Sequence, residues 1–367
     1  MISKRKTTGS QGIRAAKKFW ALGSTVLTVI ALTACGGGSS ASTAPADTGG
    51  TTPEMLSASQ WDELVKQGTS EGNLTIFSSQ AGTDVLFKEF EKAYPGIKVT
   101  VDREATTELI GKLDQQLSAG AAGADVAFHT QIGWFADRAN EKTFAPLRLG
   151  PDAQKEPAYK SVNRYVAPVL RYPLFLGYNT SAGSRVSSIE DLVQKAGNTT
   201  VGLLDPASSV AIKSQYQAWE DAYPGVLEKL SRLKTVKYPS TVPMGQALAS
   251  GEIGYAVGLI PGVVPPLKAN GAPVEEVVPA SAVAGVEDNG AVLSNAPHPA
   301  AAQLFLNWLM SPDAQELLTT KLAPMAAPIN PDSTKIKWES LSIYDPQVWT
   351  QQKQDDFMAH WKSLFQK

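Results

Sequence analysis

The stretch LTIFSSQAGTDVLFKEF, Leu74–Phe90, decides the fold that the sequence predicts. Its first four residues, Leu74–Phe77, are apolar or β-favouring and predict a short buried strand. A polar loop of small residues follows, and then an amphipathic helix with a polar cap. Backbone N–H groups at a helix start carry a partial positive charge and can bind a ligand. The loop is therefore either a ligand cradle or an ordinary βα connection, and this stretch alone favours the connection. The cradle would consist of Ser78, Ser79 and Gln80.

The same order of strand, polar loop and helix recurs along the chain. Strands are predicted at Ile97–Val101, Ala124–Phe128 and Val201–Leu204, each followed by a helix pattern. Such repetition is typical of an α/β fold with a mainly parallel sheet. Ligands bind at the carboxyl ends of the strands in such sheets. Polar residues lie at these ends, at Ser78–Gln80, Thr106–Thr107 and His129–Gln131, and are therefore candidates for binding.

Residues 1–34 resemble a bacterial lipoprotein signal peptide, and we exclude them from the fold. A basic segment precedes Phe19–Ala34, which is uncharged and mostly apolar but too short for a comfortable membrane span. The segment ends in Leu32-Thr33-Ala34-Cys35, which resembles the lipobox, whose cysteine is lipidated and becomes the new N-terminus. Small and polar residues indicate a flexible tether at residues 35–55. We expect Cys35 to anchor the protein at the extracytoplasmic face of the cell membrane; a plain membrane anchor with an incidental cysteine is the alternative.

Cysteine content and charge exclude several classes of protein. Cys35 is the only cysteine among 367 residues, so the sequence predicts neither disulfides nor a cysteine-bound zinc. The three histidines show no metal-ligand spacing, and we expect neither a metal nor another cofactor. The net charge of the whole chain is −2, and the leader carries only basic charges, so the mature chain is more acidic. We expect no nucleic-acid partner, because that would need a basic surface.

Nearly the whole mature chain resembles a known family, with the matching segments in the family's order. The family is the extracellular solute-binding proteins of bacterial ABC importers, in the group that includes the iron(III)- and phosphonate-type receptors. The most specific segment is the last, in which His298-Pro299 begins one helix and Ser311-Pro312 begins the next. The segments are WDELVKQGTSEGNLTIFSS at Trp61–Ser79, LGYNTS at Leu176–Ser181, GLLDPASS at Gly202–Ser209, GQALASGEIGYAVGLIPG at Gly245–Gly262, GAPVEEVVP at Gly271–Pro279 and APHPAAAQLFLNWLMSPDAQELL at Ala296–Leu318.

The resemblance implies an α/β clamp of two lobes, similar to type II periplasmic binding proteins, with a mainly parallel sheet flanked by helices in each lobe and hinge strands between them. A small solute binds in the cleft, and the closed receptor delivers it to a membrane permease driven by an ATPase. We expect a monomer without catalytic residues. The implied divisions are lobe 1 at residues 56–172, lobe 2 at 173–261, a return to lobe 1 at 262–325 and a C-terminal helical segment packed on the body at 326–367.

The residues expected to face the solute are hydroxyls, an amide and a histidine. Hydroxyls and helix N-termini suit a carboxylate, phosphate or phosphonate group, or a sugar, and we expect about half of the hydroxyls to be helix caps only. Iron(III) receptors of the family usually carry adjacent tyrosines after the sequence that here reads SGEIGYAVGLIPG. This region, Gly258–Gly262, has no tyrosine pair, so iron is the alternative solute. A polyamine would prefer carboxylates and aromatic side chains, and because Asp205 and Trp134 are of these types, a polyamine stays among the candidate solutes. The predicted set is Ser78, Ser79, Gln80, Thr106, Thr107, His129, Ser208, Ser209, Ser240 and Thr241.

Two other classes of function compete with a receptor. Gly68–Gly72 matches the G-x-S-x-G pattern of a hydrolase nucleophile, but a helix that stops at Gly68 is predicted before it and a strand after it, which is the reverse of the required order. A surface-anchored hydrolase is therefore the weaker alternative, and a structural or adhesive lipoprotein is weaker still. A receptor gains thermal stability from its solute, whereas a hydrolase turns over a chromogenic substrate.

Overall fold

The computed structural model describes residues 52–80, 83–121, 123–151, 162–260, 262–279, 284–322, 327–328, 336 and 341–366. The predicted signal peptide, Cys35 and most of the predicted tether lie outside the described residues. The described residues belong to one compact unit, Gly49–Lys367. No helix among them is long and apolar enough to cross a membrane.

Strands and helices alternate along most of the chain. The strands are β1 (Glu54–Met55), β2 (Asn73–Ser78), β3 (Lys98–Arg103), β4 (Val126–His129), β5 (Arg148–Leu149), β6 (Ala167–Pro173), β7 (Phe175–Asn179), β8 (Val201–Leu204), β9 (Thr235–Tyr238), β10 (Tyr255–Leu259), β11 (Val274–Val277), β12 (Ala284–Val292), β13 (Ala327–Pro328) and β14 (Ser342–Ile343). The helices are α1 (Ala58–Glu71), α2 (Asp84–Ala93), α3 (Thr106–Ser118), α4 (Ile132–Asn140), α5 (Ile189–Lys195), α6 (Val210–Ala222), α7 (Val226–Ser231), α8 (Thr241–Ser250), α9 (Val264–Ala269), α10 (Pro299–Leu309), α11 (Pro312–Leu317) and α12 (Gln351–Phe365), with a 3₁₀ turn at Pro206–Ser208 and a π turn at Leu318–Leu322.

Two sheets form the centres of the two lobes. In the first sheet the strand order is β13-β6-β12-β4-β2-β3, and β14 pairs with β12. In the second sheet the order is β11-β7-β10-β8-β9. The βα series predicted from the sequence supplies the parallel neighbours, β2 with β3 and β4, and β8 with β9 and β10.

Both sheets are mixed, whereas the sequence predicted mainly parallel sheets. Strand β12 runs antiparallel to β4 and β6, and β7 runs antiparallel to β10 and β11. The antiparallel strands are those that carry the chain between the lobes. The chain leaves the first sheet at Pro173 and enters the second at Phe175, so only Leu174 separates β6 from β7. A strand that returns from the other lobe enters a sheet without the crossover helix that parallel neighbours require.

The predicted lobe limits differ from the sheets at two places. The expected return to lobe 1 at residue 262 comes too early, because β11 still pairs with β7 in the second sheet. The expected tether extends to residue 55, but Glu54 and Met55 pair with Arg148 and Leu149. Backbone pairing of β1 with β5 therefore joins the start of the described chain to the first lobe.

Helix α1 packs against α10 on the first lobe. Ser57 and Gln60 form a capping box at its start, three positions apart as such boxes require. The helix continues past Gly68, which the sequence suggested as its end, to a left-handed Gly72. At Gly68 the helices approach so closely that an added Cβ would lie 2.6 Å from Leu304 Cδ1 and 3.1 Å from the Ala301 nitrogen. The absence of a side chain at Gly68 thus allows the two helices to pack closely. The G-x-S-x-G pattern at Gly68–Gly72 is the end of a helix and does not form a nucleophile elbow.

Two carboxylates fix the start of α10, of which Asp125 is buried and Glu71 is half-buried. Glu71 Oε1 and Oε2 accept hydrogen bonds from the Ala300 and Ala301 nitrogens at 3.1 and 2.8 Å. Asp125 accepts from the His298 nitrogen at 2.6 Å and from the Thr75 nitrogen at 2.7 Å. The carboxylates satisfy N–H groups that a helix start leaves unpaired.

The C-terminal segment contacts both lobes. Strand β14 pairs with β12 of the first sheet, and α12 then packs on α6 and α7 of the second lobe. Trp361 of α12 is buried and its ring centroid lies 4.6 Å from that of Tyr216 on α6. The segment is a third connection between the lobes, after β6–β7 and β11–β12.

Candidate ligand cleft between the two lobes

A cavity of about 60 Å³ lies between the two lobes, at the carboxyl ends of β2 and β8. Its apolar side chains come mainly from the strands that join the lobes and from α6, and its polar side chains are hydroxyls. None of the lining residues carries a charge. They are Ser79, Ala105, Thr106, Thr130, Tyr172, Leu174, Leu204, Ser208, Ser209, Ala211, Ile212, Pro239, Ser240, Thr241, Ile260 and Val286.

Three of the lining hydroxyls are available to a ligand. No hydrogen bond joins the hydroxyl of Ser79, Ser240 or Thr241 to another part of the described chain. Ser240 stands at the N-cap of α8 in extended conformation, yet its side chain does not cap the helix. Ser79 comes from the first lobe, and Ser240 and Thr241 from the second. Hydroxyls that face each other across the cleft without internal partners can bind one polar molecule from both sides.

Helix starts from both lobes also reach the cavity. Helix α3 begins at Thr106, where the N-cap is Ala105, a residue without a capping group. Helix α8 begins at Thr241 without a side-chain cap. At the start of α6, Ser209 Oγ accepts from the Ala211 nitrogen at 3.2 Å, which leaves other N–H groups of that turn without a side-chain cap. The positive ends of three helix dipoles therefore meet around an uncharged cavity, which favours a negative or strongly polar group.

Hydrogen bonds between the lobes close one side of the cleft. Thr107 Oγ1 lies 3.1 Å from the carbonyl oxygen of Ala207 and 2.9 Å from that of Ser208, and it can donate to either. Thr130 Oγ1 lies 3.5 Å from Ser209 Oγ and 3.4 Å from Thr106 Oγ1. The described conformation is therefore one in which the two lobes touch.

Six of the predicted site residues line the cavity, and four do not. The six are Ser79, Thr106, Ser208, Ser209, Ser240 and Thr241. Two of these six hydroxyls are engaged locally, because Ser208 Oγ donates to the Asp205 carbonyl at 2.7 Å and Ser209 caps α6. The four outside the lining are Ser78, Gln80, Thr107 and His129.

His129 is a core residue in this arrangement. Its ring is stacked on Phe135 at a centroid distance of 4.3 Å and lies edge-on to Trp134 at 5.0 Å. Burial lowers the pKa of His129 to about 3, so the imidazole is neutral at ordinary pH. Its Nδ1 accepts from the Gln131 nitrogen at 3.2 Å, and its Nε2 has no partner among the described residues.

Ser78 and Gln80 shape the loop behind the cavity. Ser78 Oγ accepts from the Gln80 nitrogen at 3.0 Å. Arg103 Nε donates to the Gln80 carbonyl at 2.8 Å, and its terminal nitrogen donates to Thr83 Oγ1 at 3.0 Å. The Gln80 side chain turns to the first sheet, where its Oε1 accepts from the Tyr172 hydroxyl at 3.2 Å.

The predicted set of site residues did not include Thr130 or Tyr172, although the sequence placed His129–Gln131 at the end of a strand. Thr130 follows His129 at the end of β4, and because side chains alternate along a strand, one of the two faces the core and the next faces the cleft. That alternation was the available signal. Tyr172 lies in the apolar run of a connecting strand, where nothing distinguishes a cleft residue from a core residue.

A buried acidic residue adjoins the same wall. Asp288 on β12 is fully buried, and neither carboxylate oxygen has a partner among the described residues. Burial, reinforced by Glu287, raises the pKa of Asp288 to about 8. Burial and the Asp288 charge together raise the pKa of Tyr172 well above its usual range. Within the described residues, no group of three or more His, Cys, Asp or Glu side chains could hold a metal ion.

A family model matches the chain over most of this architecture. The model of the bacterial extracellular solute-binding proteins matches residues 77–316, which is more than half of the 367 residues. The chain belongs to this family. No curated protein matches this solute-binding protein in sequence.

Solved structures share the fold of this solute-binding protein. The substrate-binding protein of an ABC transporter from Agrobacterium tumefaciens is 15% identical, with a TM-score of 0.69 over 82% of this chain and 97% of that one. The periplasmic binding protein AfuA from Actinobacillus pleuropneumoniae, solved with fructose-6-phosphate, is 18% identical, with a TM-score of 0.60 over 80% and 99%. Iron-bound HitA from Pseudomonas aeruginosa is 18% identical, with a TM-score of 0.59 over 80% and 99%.

These similarities establish the architecture and the general role. The solute-binding protein has the two-lobed α/β fold of type II periplasmic binding proteins, as the sequence predicted. Proteins of its family bind small solutes and work with the permease and the ATPase of an ABC importer. The family is one of receptors and not of enzymes.

Proposed function

We propose that this solute-binding protein is a monomeric receptor, anchored through lipidated Cys35 at the extracytoplasmic face of the cell membrane, that captures a small anionic or hydroxylated organic solute. The solute binds in the cavity between the lobes, and the closed receptor delivers it to the permease of an ABC importer.

The observation that carries the proposal is the chemistry of the cavity wall. Free hydroxyls of Ser79, Ser240 and Thr241 and the uncapped starts of α3 and α8 point to a ligand with several acceptor oxygens. The apolar residues between them, such as Leu204 and Ile260, exclude water and so strengthen each polar contact.

A binding screen with the mature protein tests the proposal. Carboxylates, phosphonates, sugar phosphates, sugars, polyamines and iron(III) are added singly while thermal unfolding is followed. At a hundredfold excess over Kd, the true solute class stabilises the protein by about 2.7 kcal/mol. If iron(III) is the one compound that stabilises the protein, the proposal of an organic solute is wrong. Turnover of a chromogenic ester or glycoside would favour the hydrolase alternative.

The substitution Thr241→Val examines the site itself. It removes a hydroxyl that has no partner among the described residues and keeps the shape of the side chain, so folding should not change. We expect the affinity for the stabilising solute to fall by about threefold to tenfold, the value of one net hydrogen bond. Thr69→Val removes a hydroxyl on an exposed face of α1 and serves as the control. Equal affinities of both variants would contradict the placement of the solute.

The lipid anchor has a separate test. Replacement Cys35→Ala in the full-length chain should abolish incorporation of labelled fatty acid and release the protein from the membrane fraction. Retention of label after the substitution would overturn the anchor without affecting the receptor assignment.

A further inference from the structure

A buried carboxylate without a partner lies beside the wall of the proposed solute cavity. Asp288 is fully buried, and both of its side-chain oxygens lack a hydrogen-bond donor among the described residues. Buried charges in proteins are nearly always paired, because an unpaired one is costly. The neighbouring Glu287 does not share this condition, since Arg171 pairs with it at 2.8 Å.

The pairing of two strands places Asp288 on the sheet face that lines the cavity, one step beyond the lining residues themselves. Val286 is paired with Tyr172, and Asp288 with Leu170, so these four residues share one face of the first sheet. Val286 and Tyr172 both line the cavity. The carboxylate is close enough to Tyr172 for its charge to raise the pKa of the phenol.

The side-chain amide of Gln80 is a second buried polar group that lacks a hydrogen-bond partner among the described residues. Gln80 Oε1 accepts from the Tyr172 hydroxyl, but Gln80 Nε2 is buried without an acceptor. Tyr172 is thus flanked by an acidic group that lacks donors and an amide that lacks an acceptor. A ligand group that donates several N–H bonds and carries positive charge would satisfy the carboxylate directly.

The opposite end of the ligand is constrained by the residues that line the cavity. The free hydroxyls and uncapped helix starts favour negative charge, whereas Asp288 favours positive charge. We propose that Asp288 receives an ammonium group of the solute, so that the solute is a small zwitterion whose anionic end lies at the hydroxyls of Ser79, Ser240 and Thr241. The inference rests on the proposed function and narrows its solute class.

Matched pairs of ligands separate the two ends. The mature protein is titrated calorimetrically with 4-aminobutyrate and butyrate, and with 2-aminoethylphosphonate and ethylphosphonate. Each pair keeps the anionic group and differs by the amine. We expect the wild-type protein to prefer the amine-bearing member of at least one pair by about tenfold, the value of a charge-assisted hydrogen bond.

Two variants then assign the ends to residues. Asp288→Asn keeps the size of the side chain and removes the charge, and it should abolish the preference for the amine while the affinity for the amine-free member stays within about twofold. Thr241→Val should weaken both members of a pair equally. Thermal unfolding checks that Asp288→Asn is folded, and we expect it to be at least as stable as the wild type, since it no longer buries an ionisable group.

The results distinguish this inference from the receptor assignment. The ammonium site is wrong if the protein binds the anions but shows no preference for the amine-bearing members. It is also wrong if Asp288→Asn keeps the same preference as the wild type. Asp288 is then satisfied by an internal water molecule only. If the protein binds no member of either pair but binds a sugar, the zwitterion is wrong and the receptor stands. If no solute of any class binds, both are wrong.

Discussion

Individual hydroxyls of the cleft differ in role although they are the same residue types. Ser208 and Ser209 use their hydroxyls within the turn that leads into α6, whereas Ser240 occupies an N-cap without capping. The expectation that many of these residues would be caps follows from the general preference for serine at helix starts. Which serine caps and which stays free depends on side-chain rotation, and the sequence does not contain that information.

The buried carboxyl of Asp288 predicts a specific pH dependence of stability. Its pKa is about 8 in the folded protein and near 3.8 when exposed. The folded state therefore binds more protons than the unfolded state between these values, and the free energy of unfolding falls as the pH rises from about 4 to about 8. Glu287 and Tyr172 are the charged or titratable neighbours coupled to Asp288.

Urea unfolding of the wild type and Asp288→Asn at several pH values measures this effect. Glu276, whose burial raises its pKa to about 7, adds a slope of the same sign in both proteins, so the difference between them isolates Asp288. We expect the stability advantage of the variant to grow from pH 4 to pH 8 and then to level off. A difference that does not change with pH would contradict the raised pKa.

Among the elements, the α1–α10 contact shows what a glycine in a helix can signify. Gly68→Ala would place a methyl group 2.6 Å from Leu304 Cδ1 and against the backbone of α10, so the two helices must move apart. We expect a loss of about 1–3 kcal/mol in the free energy of unfolding, despite the better helix propensity of alanine.

Gly111 supplies the matched control for this substitution. It also lies within a helix, α3, but no atom lies within 4 Å of the Cβ that alanine would add. Gly111→Ala should therefore stabilise the protein by about 0.5–1 kcal/mol, measured by the same urea unfolding. Opposite signs for the two substitutions support a packing role at Gly68; a stabilising Gly68→Ala would refute it.

Most elements were predictable from sequence, and their pairing was not. The apolar run Leu74–Phe77 and the helix after it are confirmed as β2 and α2, because a strand followed by an amphipathic helix is encoded locally. Gly68 was misread as a helix end, since a glycine required by a distant helix has the same local signal as a C-cap. The antiparallel course of β12 was also missed, because it depends on where the chain returns from the other lobe.

At the scale of the whole molecule, Thr107 is positioned to stabilise the closed arrangement. Its hydroxyl bonds to the carbonyl oxygens of Ala207 and Ser208 on the opposite lobe. Thr107→Val keeps the shape and removes this bond. We expect a loss of about 1 kcal/mol from the closed state, and up to roughly fivefold weaker apparent affinity for every solute, since fewer molecules are binding-competent.

Small-angle scattering and calorimetry check this expectation together. Without solute, the radius of gyration of Thr107→Val should exceed that of the wild type and of Thr69→Val, and saturating solute should restore it. A loss of affinity confined to one solute class would instead make Thr107 a direct ligand contact.

The course of the chain through the two lobes also bears on how the protein folds. The first sheet combines β2, β3 and β4 with β12 and β14, which follow much later in the chain, whereas the second sheet is formed entirely between Phe175 and Val277. The second lobe can therefore form its strand pairs as soon as its own segment is available. The first lobe must close a loop around the whole of the second, which makes it the slower step. A newly made chain should thus spend its longest-lived partly folded stage with one lobe complete and the solute cleft not yet built.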